Sequence, residues 1–267
     1  MTPRHACLDC LARTPAAPFE AALWVAAEHD PRVQPERCLE EMERLARCIR
    51  PGLPDAPPAE RAQPLLRRLG ELGFREDPDR PPRPRAALLP DVLAHRRGQP
   101  LSLALVALEL ARRLDIPLDG VAFPGRFLLR VRGTDHLLDP CDGRRLQVRD
   151  CRELLLRGLG PQAELHADHL RPASATQMLQ RLSRNLRGLY LHAGDYLDAL
   201  KDAERVLELG PPNLLDHLAR ADLYRHLDCA RAERFDLERA LLLCDDPAQR
   251  LVLDQRLRRL GAAPALH

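Results

Sequence analysis

The sequence has few aromatic residues and almost no lysine. Phe, Trp and Tyr make up 3% of the 267 residues, so Leu, Ala and Val must fill most of any core. Lys201 is the only lysine among 41 basic residues, and the formal net charge is only +2. Acidic and basic side chains are interleaved, apart from the arginine- and proline-rich residues 80–85. This balance lacks the basic surface typical of proteins that bind nucleic acid or anionic membranes, so neither partner is expected.

The sequence also lacks long apolar runs and a clear metal-binding motif. No stretch approaches the length of a membrane-spanning helix, and the N-terminal residues do not resemble a signal peptide, so we expect a cytoplasmic protein. In that reducing compartment the eight cysteines are expected to be buried thiols rather than disulfides. Cys7 and Cys10 form an isolated C-x-x-C pair, whereas zinc needs about four ligands. No metal or cofactor is therefore predicted.

Periodicity predicts a mostly helical chain with a small β-structure in its middle. Apolar residues at helical spacing indicate helices over residues 19–29, 40–48 and 59–72. A further helix over residues 101–114 is apolar on more than one side and should be buried. Two strand-like runs follow, at residues 126–131 and 136–138, and the polar link between them is typical of a hairpin. Residues 80–98 are interpreted as a loop.

Three motifs lie around this central helix and hairpin. Residues 97–103 read RGQPLSL, residues 120–127 read GVAFPGRF and residues 139–143 read DPCDG. Together they resemble the SirB-type branch of the transglutaminase-like family, with the rough pattern R-G-x-P-[IL]-S-L, G-V-x-x-P-G-H-F and D-P-[FC]-x-G. The resemblance implies an α+β, predominantly helical fold, with a papain-like core that contains a small antiparallel sheet.

The same resemblance implies three positions for a catalytic triad. Ser102 occupies the nucleophile position, Arg126 the histidine position and Asp139 the aspartate position. A guanidinium group stays protonated, so Arg126 cannot take the proton that a serine nucleophile must lose. Ser102 is instead expected to bond a nearby backbone group, and Arg126 to form a bidentate salt bridge with Asp139. We therefore interpret the three residues as a degenerate, inactive triad.

Two functional classes follow from this interpretation. The first is a non-catalytic scaffold or protein-interaction module, which includes a regulatory one. The second is a hydrolase or acyl transferase of the papain-like type, which uses Ser102 with a base that the sequence does not identify. His95 precedes the central helix and could reach the site. His136 should point away from Asp139 if both belong to one strand. The missing histidine favours the first class.

The C-terminal part predicts helical repeats. We place a transglutaminase-like domain in residues 1–172 and a helical domain in residues 173–267. Residues 186–211 resemble one tetratricopeptide unit, and a shift of 34 residues, the period of that repeat, aligns Tyr224 with Tyr190. The second unit matches poorly, because Asp228 falls where Gly194 stands. A protein partner is expected to bind through these repeats. The oligomeric state stays open.

A pair of such repeats leaves apolar faces uncovered, because arrays of this kind usually need about three or more units. We therefore expect a fragment of residues 173–267 to show no cooperative, monomeric thermal transition by circular dichroism. A sharp transition of a monomer would show that these residues fold without the rest of the chain.

Overall fold

The computed structural model describes residues 1–261 and divides into two compact units, Met1–Leu182 and a second unit that begins at Ser183. The chain is predominantly helical and has one small antiparallel sheet, which confirms the predicted fold class. Among the described helices, none has both the length and the apolar character needed to cross a lipid bilayer.

The first unit is built from seven helices and the start of an eighth. They are α1 (Pro3–Ala12), α2 (Pro18–His29), α3 (Pro35–Ile49), α4 (Ala62–Glu71), α5 (Leu89–His95), α6 (Pro100–Arg113), α7 (Val148–Leu159) and α8 (Ala175–Ala193). Its strands are β1 (Arg75–Glu76), β2 (Arg97–Gly98), β3 (Leu118–Val121), β4 (Leu128–Val131), β5 (Leu137–Leu138) and β6 (Arg145–Leu146). β1 pairs with β2 in parallel, while β3, β4, β5 and β6 form an antiparallel sheet in that order.

Helix α6 forms the centre of this unit, as its sequence predicts. Pro100 occupies the first turn, where its missing N–H costs no hydrogen bond, and Arg112 and Arg113 lie in the last turn, where cations are favoured. Most residues between these ends are buried, because α6 packs against α2, α3, α4 and α5 as well as against β3 and β4.

The sheet packs closely enough that two motif positions require glycine. A Cβ atom at Gly120 on β3 would lie 2.7 Å from the Phe127 ring and 2.9 Å from the Met178 side chain. Gly143 has a φ of +70°, and a Cβ there would lie 2.9 Å from the Leu66 Cβ. Both glycines therefore let backbone pass where a side chain has no space. The adjoining core contains Val121, Phe123, Leu128, Leu137, Leu146, Cys151 and Leu155.

Several elements differ from the sequence-based predictions. Residues 80–98 are not one loop, because they contain a short 3₁₀ turn at Pro84–Ala86, helix α5 and strand β2. Arg126 lies in a turn just before β4 and not on the strand, since Pro124 and Gly125, with a φ of +75°, bend the chain there. Helix α1 and strand β3 were not predicted. The hairpin between β4 and β5 is present.

The second unit contains the end of α8 and four further helices. These are α9 (Tyr196–Leu209), α10 (Leu214–His226), α11 (Ala230–Leu242) and α12 (Pro247–Arg259). Its core includes Ala221, Leu237, Ala240, Cys244, Leu253 and Leu257. Whereas the sequence places a boundary after residue 172, the division into units follows Leu182, within α8.

The backbone of the second unit repeats with the 34-residue spacing. Asp195 N–H donates to the Tyr190 carbonyl at 2.9 Å, and Cys229 N–H donates to the Tyr224 carbonyl at 2.9 Å. Gly194 and Asp228 precede these donors, and both have positive φ, +81° and +55°. Asp228 therefore adopts the left-handed conformation at the position that glycine occupies in the first turn, which short polar residues tolerate better than most.

The burial of α6 sets a stability test. Leu105 is fully buried on α6, and Leu108 on the same helix is half-buried. We expect Leu105→Ala to lower the free energy of unfolding by about 2–5 kcal/mol, because it leaves a cavity in the core. Leu108→Ala, the matched control, should cost about 1 kcal/mol. Urea denaturation measures both, and equal effects would contradict the central position of α6.

Candidate functional site

Ser102 lies in the first turn of α6, where the sequence places it, but its hydroxyl is already bonded. The residue is 0% exposed, and its Oγ donates to the Ala87 carbonyl at 3.0 Å. Nearby, Gln99 N–H donates to the Ala86 carbonyl at 2.6 Å. Within residues 1–261 the Ser102 side chain has no other hydrogen bond. Its hydroxyl therefore attaches the start of α6 to the segment before α5.

Arg126 and Asp139 form the bidentate pair that their residue types predict. Arg126 Nε donates to Asp139 Oδ2 at 2.9 Å, and Nη2 donates to Oδ1 at 3.2 Å. Asp139 follows β5 directly, is 7% exposed, and also accepts the Cys141 N–H at 2.9 Å. Three donors thus hold this carboxylate, and two of them belong to a permanent cation.

Glu76 completes this cluster and was not predicted. Arg126 Nη2 donates to Glu76 Oε2 at 2.9 Å, so the guanidinium bridges β1 and the end of β5. Glu76 lies 50 residues before Arg126 in the chain. Nothing in the sequence around Glu76 indicates a charge partner, because only the tertiary fold brings it to Arg126.

These contacts hold Arg126 in its charged form. Burial acts to lower the pKa of Arg126, but the hydrogen bond and charge of Asp139 outweigh it, and Glu76 adds to their effect. The pKa therefore lies above that of an ordinary arginine, which already stays protonated in proteins. At position 126, where the resemblance to the family implies a histidine, this chain therefore carries a cation that stays protonated.

Cys141 offers no alternative nucleophile. Burial strongly raises the pKa of its thiol, and the negative charge of Asp139 raises it further, despite the opposing effect of Arg126. Because the thiolate is the reactive form of cysteine, this environment makes Cys141 inert at neutral pH. A small cleft of about 200 Å³ opens beside the cluster, and it is lined by Arg126, Asp139, Arg144, Leu146, Asp150, Glu153, Leu154 and Arg157.

The two candidate histidines do not supply a base. His95 Nδ1 lies 2.9 Å from the Asp91 carbonyl of its own helix, and the ring is exposed. His136 is exposed in the turn before β5. In the described part of the chain, neither imidazole hydrogen-bonds to Ser102. The structure therefore brings Arg126 and Asp139 together and leaves Ser102 bonded elsewhere.

Cys7 and Cys10 lie on α1 and are both buried. Burial, followed by the charge of Glu20, raises the pKa of Cys10 to about 12, so this thiol stays protonated. Across residues 1–261, no three His, Cys, Asp or Glu side chains come together in an arrangement that could hold a metal ion. These two cysteines contribute to the packing of α1 against α2.

Comparison with known proteins matches the sequence of this chain to one family. The family model described as the transglutaminase-like superfamily matches residues 36–184. A UPF0162 protein of Pseudomonas aeruginosa is 63% identical over 270 residues, which cover 100% of both chains. A UPF0162 protein of Xylella fastidiosa is 37% identical over 179 residues, 65% of this chain and 64% of the relative. Protein SirB1 of Salmonella typhimurium is 28% identical over 190 residues, 70% of this chain and 71% of the relative. No solved structure matches the chain significantly.

The geometry of the cluster predicts the effect of removing its cation. Arg126→Gln leaves the buried Asp139 carboxylate with one backbone donor, so we expect a loss of about 1–3 kcal/mol in the free energy of unfolding. Arg132→Gln is the matched control, because Arg132 forms an exposed pair with Asp119 and should cost less than about 1 kcal/mol. Thermal or urea unfolding compares the two, and an equal loss would show that the buried pair contributes no more than a surface pair.

Proposed function

Because the chain belongs to the transglutaminase-like superfamily, in the group that includes SirB1 and the UPF0162 proteins, we propose that it is a non-catalytic member that acts by binding other proteins. One observation carries this proposal. Arg126 occupies the position of the general base and is bonded in bidentate fashion to Asp139, the carboxylate that would orient such a base.

The chemistry of the cluster supports the loss of catalysis. General-base assistance contributes about 10²–10⁴-fold to reactions of this type, and a guanidinium supplies none of it. A cation beside a hydroxyl can stabilise negative charge, but it cannot accept the proton that must leave. The Ser102 hydroxyl, moreover, donates its proton to the Ala87 carbonyl. In the proposed function, Arg126 holds Asp139 and Glu76 together by ion pairs and takes no part in proton transfer.

The second class, a hydrolase or acyl transferase that uses Ser102, requires a base near that hydroxyl. Within residues 1–261 no imidazole bonds to Ser102, and Cys141 has a raised pKa. No particular observation favours this class over the first.

The second unit offers a surface that suits a protein partner. Its 34-residue backbone repeat supports the tetratricopeptide-like interpretation of the sequence. A groove of about 720 Å³ is lined by residues of α10, of α11 and of the turn between them, among them Tyr224, Arg231 and Phe235. Phe235 is 49% exposed, and interfaces are enriched in aromatic residues and arginine. We place the main partner-binding surface of the proposed function in this groove.

A serine-directed fluorophosphonate tests the proposal. We expect no adduct on Ser102 when the purified full chain is treated with the probe and its peptides are examined by mass spectrometry. The reason is that, within residues 1–261, the Ser102 hydroxyl is bonded to the Ala87 carbonyl and not to an imidazole or carboxylate that could take its proton. Stoichiometric labelling of Ser102 that disappears in Asp139→Asn would contradict the proposal, because it would show an active nucleophile supported by this carboxylate.

A double variant controls for access of the probe. Ser102→Cys combined with Arg126→His rebuilds the residue types of a papain-like triad at these positions. We expect the thiol at position 102 to alkylate faster with iodoacetamide in this variant than in Ser102→Cys alone. Faster alkylation would attribute the inertness of the natural chain to Arg126 rather than to burial of position 102.

A further inference from the structure

Helix α7 carries an exposed apolar stripe on its outer face. Val148, Leu156 and Leu159 are 60%, 44% and 60% exposed, and Arg152 is exposed between them. Positions 148, 152, 156 and 159 follow helical spacing and share one side of the helix. Cys151 and Leu155 border this stripe on one flank and are buried in the core under the sheet. The stripe is therefore left over after α7 has packed onto its own unit.

The cations around this stripe are also left without partners. Arg145, Arg149 and Arg152 are exposed, and within the described residues their guanidinium groups form no hydrogen bond or ion pair. Asp150, the acid in the first turn of α7, accepts the Gln147 N–H at 2.6 Å and forms its salt bridge with Arg144 at 3.0 Å, while the nearby charge of Arg149 also lowers the pKa of Asp150. In a chain where most arginines have carboxylate partners, this face presents both unpaired cations and uncovered apolar side chains.

We propose that the outer face of α7, defined by Val148, Arg149, Arg152, Leu156 and Leu159, binds a helical segment of a partner protein in which carboxylates alternate with large apolar residues. Carboxylates match the planar donor fork of arginine, which can form two parallel hydrogen bonds with each. Apolar side chains spaced three and four residues apart match the stripe, as in helix-in-groove recognition. This surface lies on the first unit and does not depend on the groove proposed for the second.

The pattern favours a protein segment over a lipid surface. A helix that inserts into a bilayer needs a continuous apolar face with its cations on the flanks. Here Arg152 interrupts the stripe between Val148 and Leu156, so insertion would bury its charge. The formal net charge of +2 adds little general attraction to anionic lipid. Interleaved cations and apolar residues are instead typical of a face that pairs with another helix.

The α7 face lies back to back with the Arg126 cluster. At the C-terminal end of α7, Gly158 packs directly against Gly125, where a Cβ atom on Gly158 would lie 3.3 Å from the Gly125 Cα. Asp150, Glu153, Leu154 and Arg157 of the same helix line the cleft beside Arg126 and Asp139. A partner that covers α7 therefore rests on the helix that supports the turn holding Arg126.

The size of the face predicts a weak, reversible contact. Twelve helical residues span about 18 Å, and one helix face of this length falls short of the roughly 800 Å² per partner that stable complexes bury. Affinity should depend strongly on salt, because exposed arginine–carboxylate pairs are screened.

A peptide-display selection on the full chain tests this assignment. The probe is a library of 16-residue peptides, and binders are counter-selected against Arg149→Glu/Arg152→Glu. We expect enriched peptides that are net acidic and carry large apolar residues at helical spacing. In fluorescence anisotropy, a synthetic peptide of this kind should bind the double variant about tenfold more weakly than the natural chain. Leu156→Ser should also weaken it, and circular dichroism checks that each variant is folded.

Arg47→Glu is the matched control, because Arg47 is an exposed arginine on α3 that lacks a hydrogen bond or ion pair within the described residues. It should leave peptide binding unchanged. Failure to enrich any peptide, enrichment of neutral or basic peptides, or an equal effect of Arg47→Glu would overturn the proposal.

A second experiment tests lipid binding with vesicles of phosphatidylcholine and phosphatidylglycerol. Binding to them that is lost in the double variant, without peptide binding, would assign the face to lipid instead. Substitution of Phe235 in the groove of the second unit should not alter the affinity of the peptide for the α7 face.

Discussion

The ion pair between Arg126 and Asp139 is the interaction on which the local structure of the candidate site depends. A carboxylate that is 7% exposed is costly unless it is paired and hydrogen-bonded, and here the guanidinium and one backbone N–H meet that need. The same guanidinium reaches Glu76 on β1. One side chain therefore satisfies two acids from distant parts of the chain, and a guanidinium in this position stays protonated.

The scaffold around this pair keeps the features that the family motifs describe. Pro100 and Ser102 still begin a buried helix, and the Ser102 hydroxyl contributes to the structure by bonding the Ala87 carbonyl. Gly120 and Gly143 still stand where a Cβ atom has no space. These motif residues have packing reasons of their own, so their presence does not depend on catalysis. A match to the family motifs is therefore not by itself evidence of catalysis.

Much of this arrangement could be predicted from the sequence, and the limits have physical causes. The apolar pattern of α6 and the polar link of the β4–β5 hairpin follow from the residue pattern. The pairing of Arg126 with Asp139 follows from the resemblance to the family, which implies that both lie at one site, and from their opposite charges. Glu76 and Ala87 were missed because only the tertiary fold brings them to Arg126 and Ser102. Helix α1 has no clear apolar stripe, and β3 contains Asp119 and Gly120, which are poor strand formers.

The buried polar groups of the second unit extend the argument for repeats beyond the backbone. Ser183 and His217 are 34 residues apart, as are Asp202 and Asp236, and all four are buried. In the second hairpin His217 Nδ1 lies 2.8 Å from Asp236 Oδ1. In the first hairpin, Arg205 donates to both Asp202 and Ser183. Its guanidinium therefore lies between the carboxylate and the serine, which has a shorter side chain than histidine. The first hairpin is α8–α9 and the second is α10–α11. Each has a buried carboxylate on its second helix, and that carboxylate is connected to Ser183 or His217, which stand 34 residues apart on the first helices. A buried carboxylate without a partner is strongly destabilising, and each of the two has a cation beside it. Asp202 pairs with Arg205 of its own helix, whereas Asp236 pairs with Arg220 of the preceding helix at 2.8 and 2.9 Å. The two hairpins are therefore related by position and have solved the same electrostatic requirement with different residues.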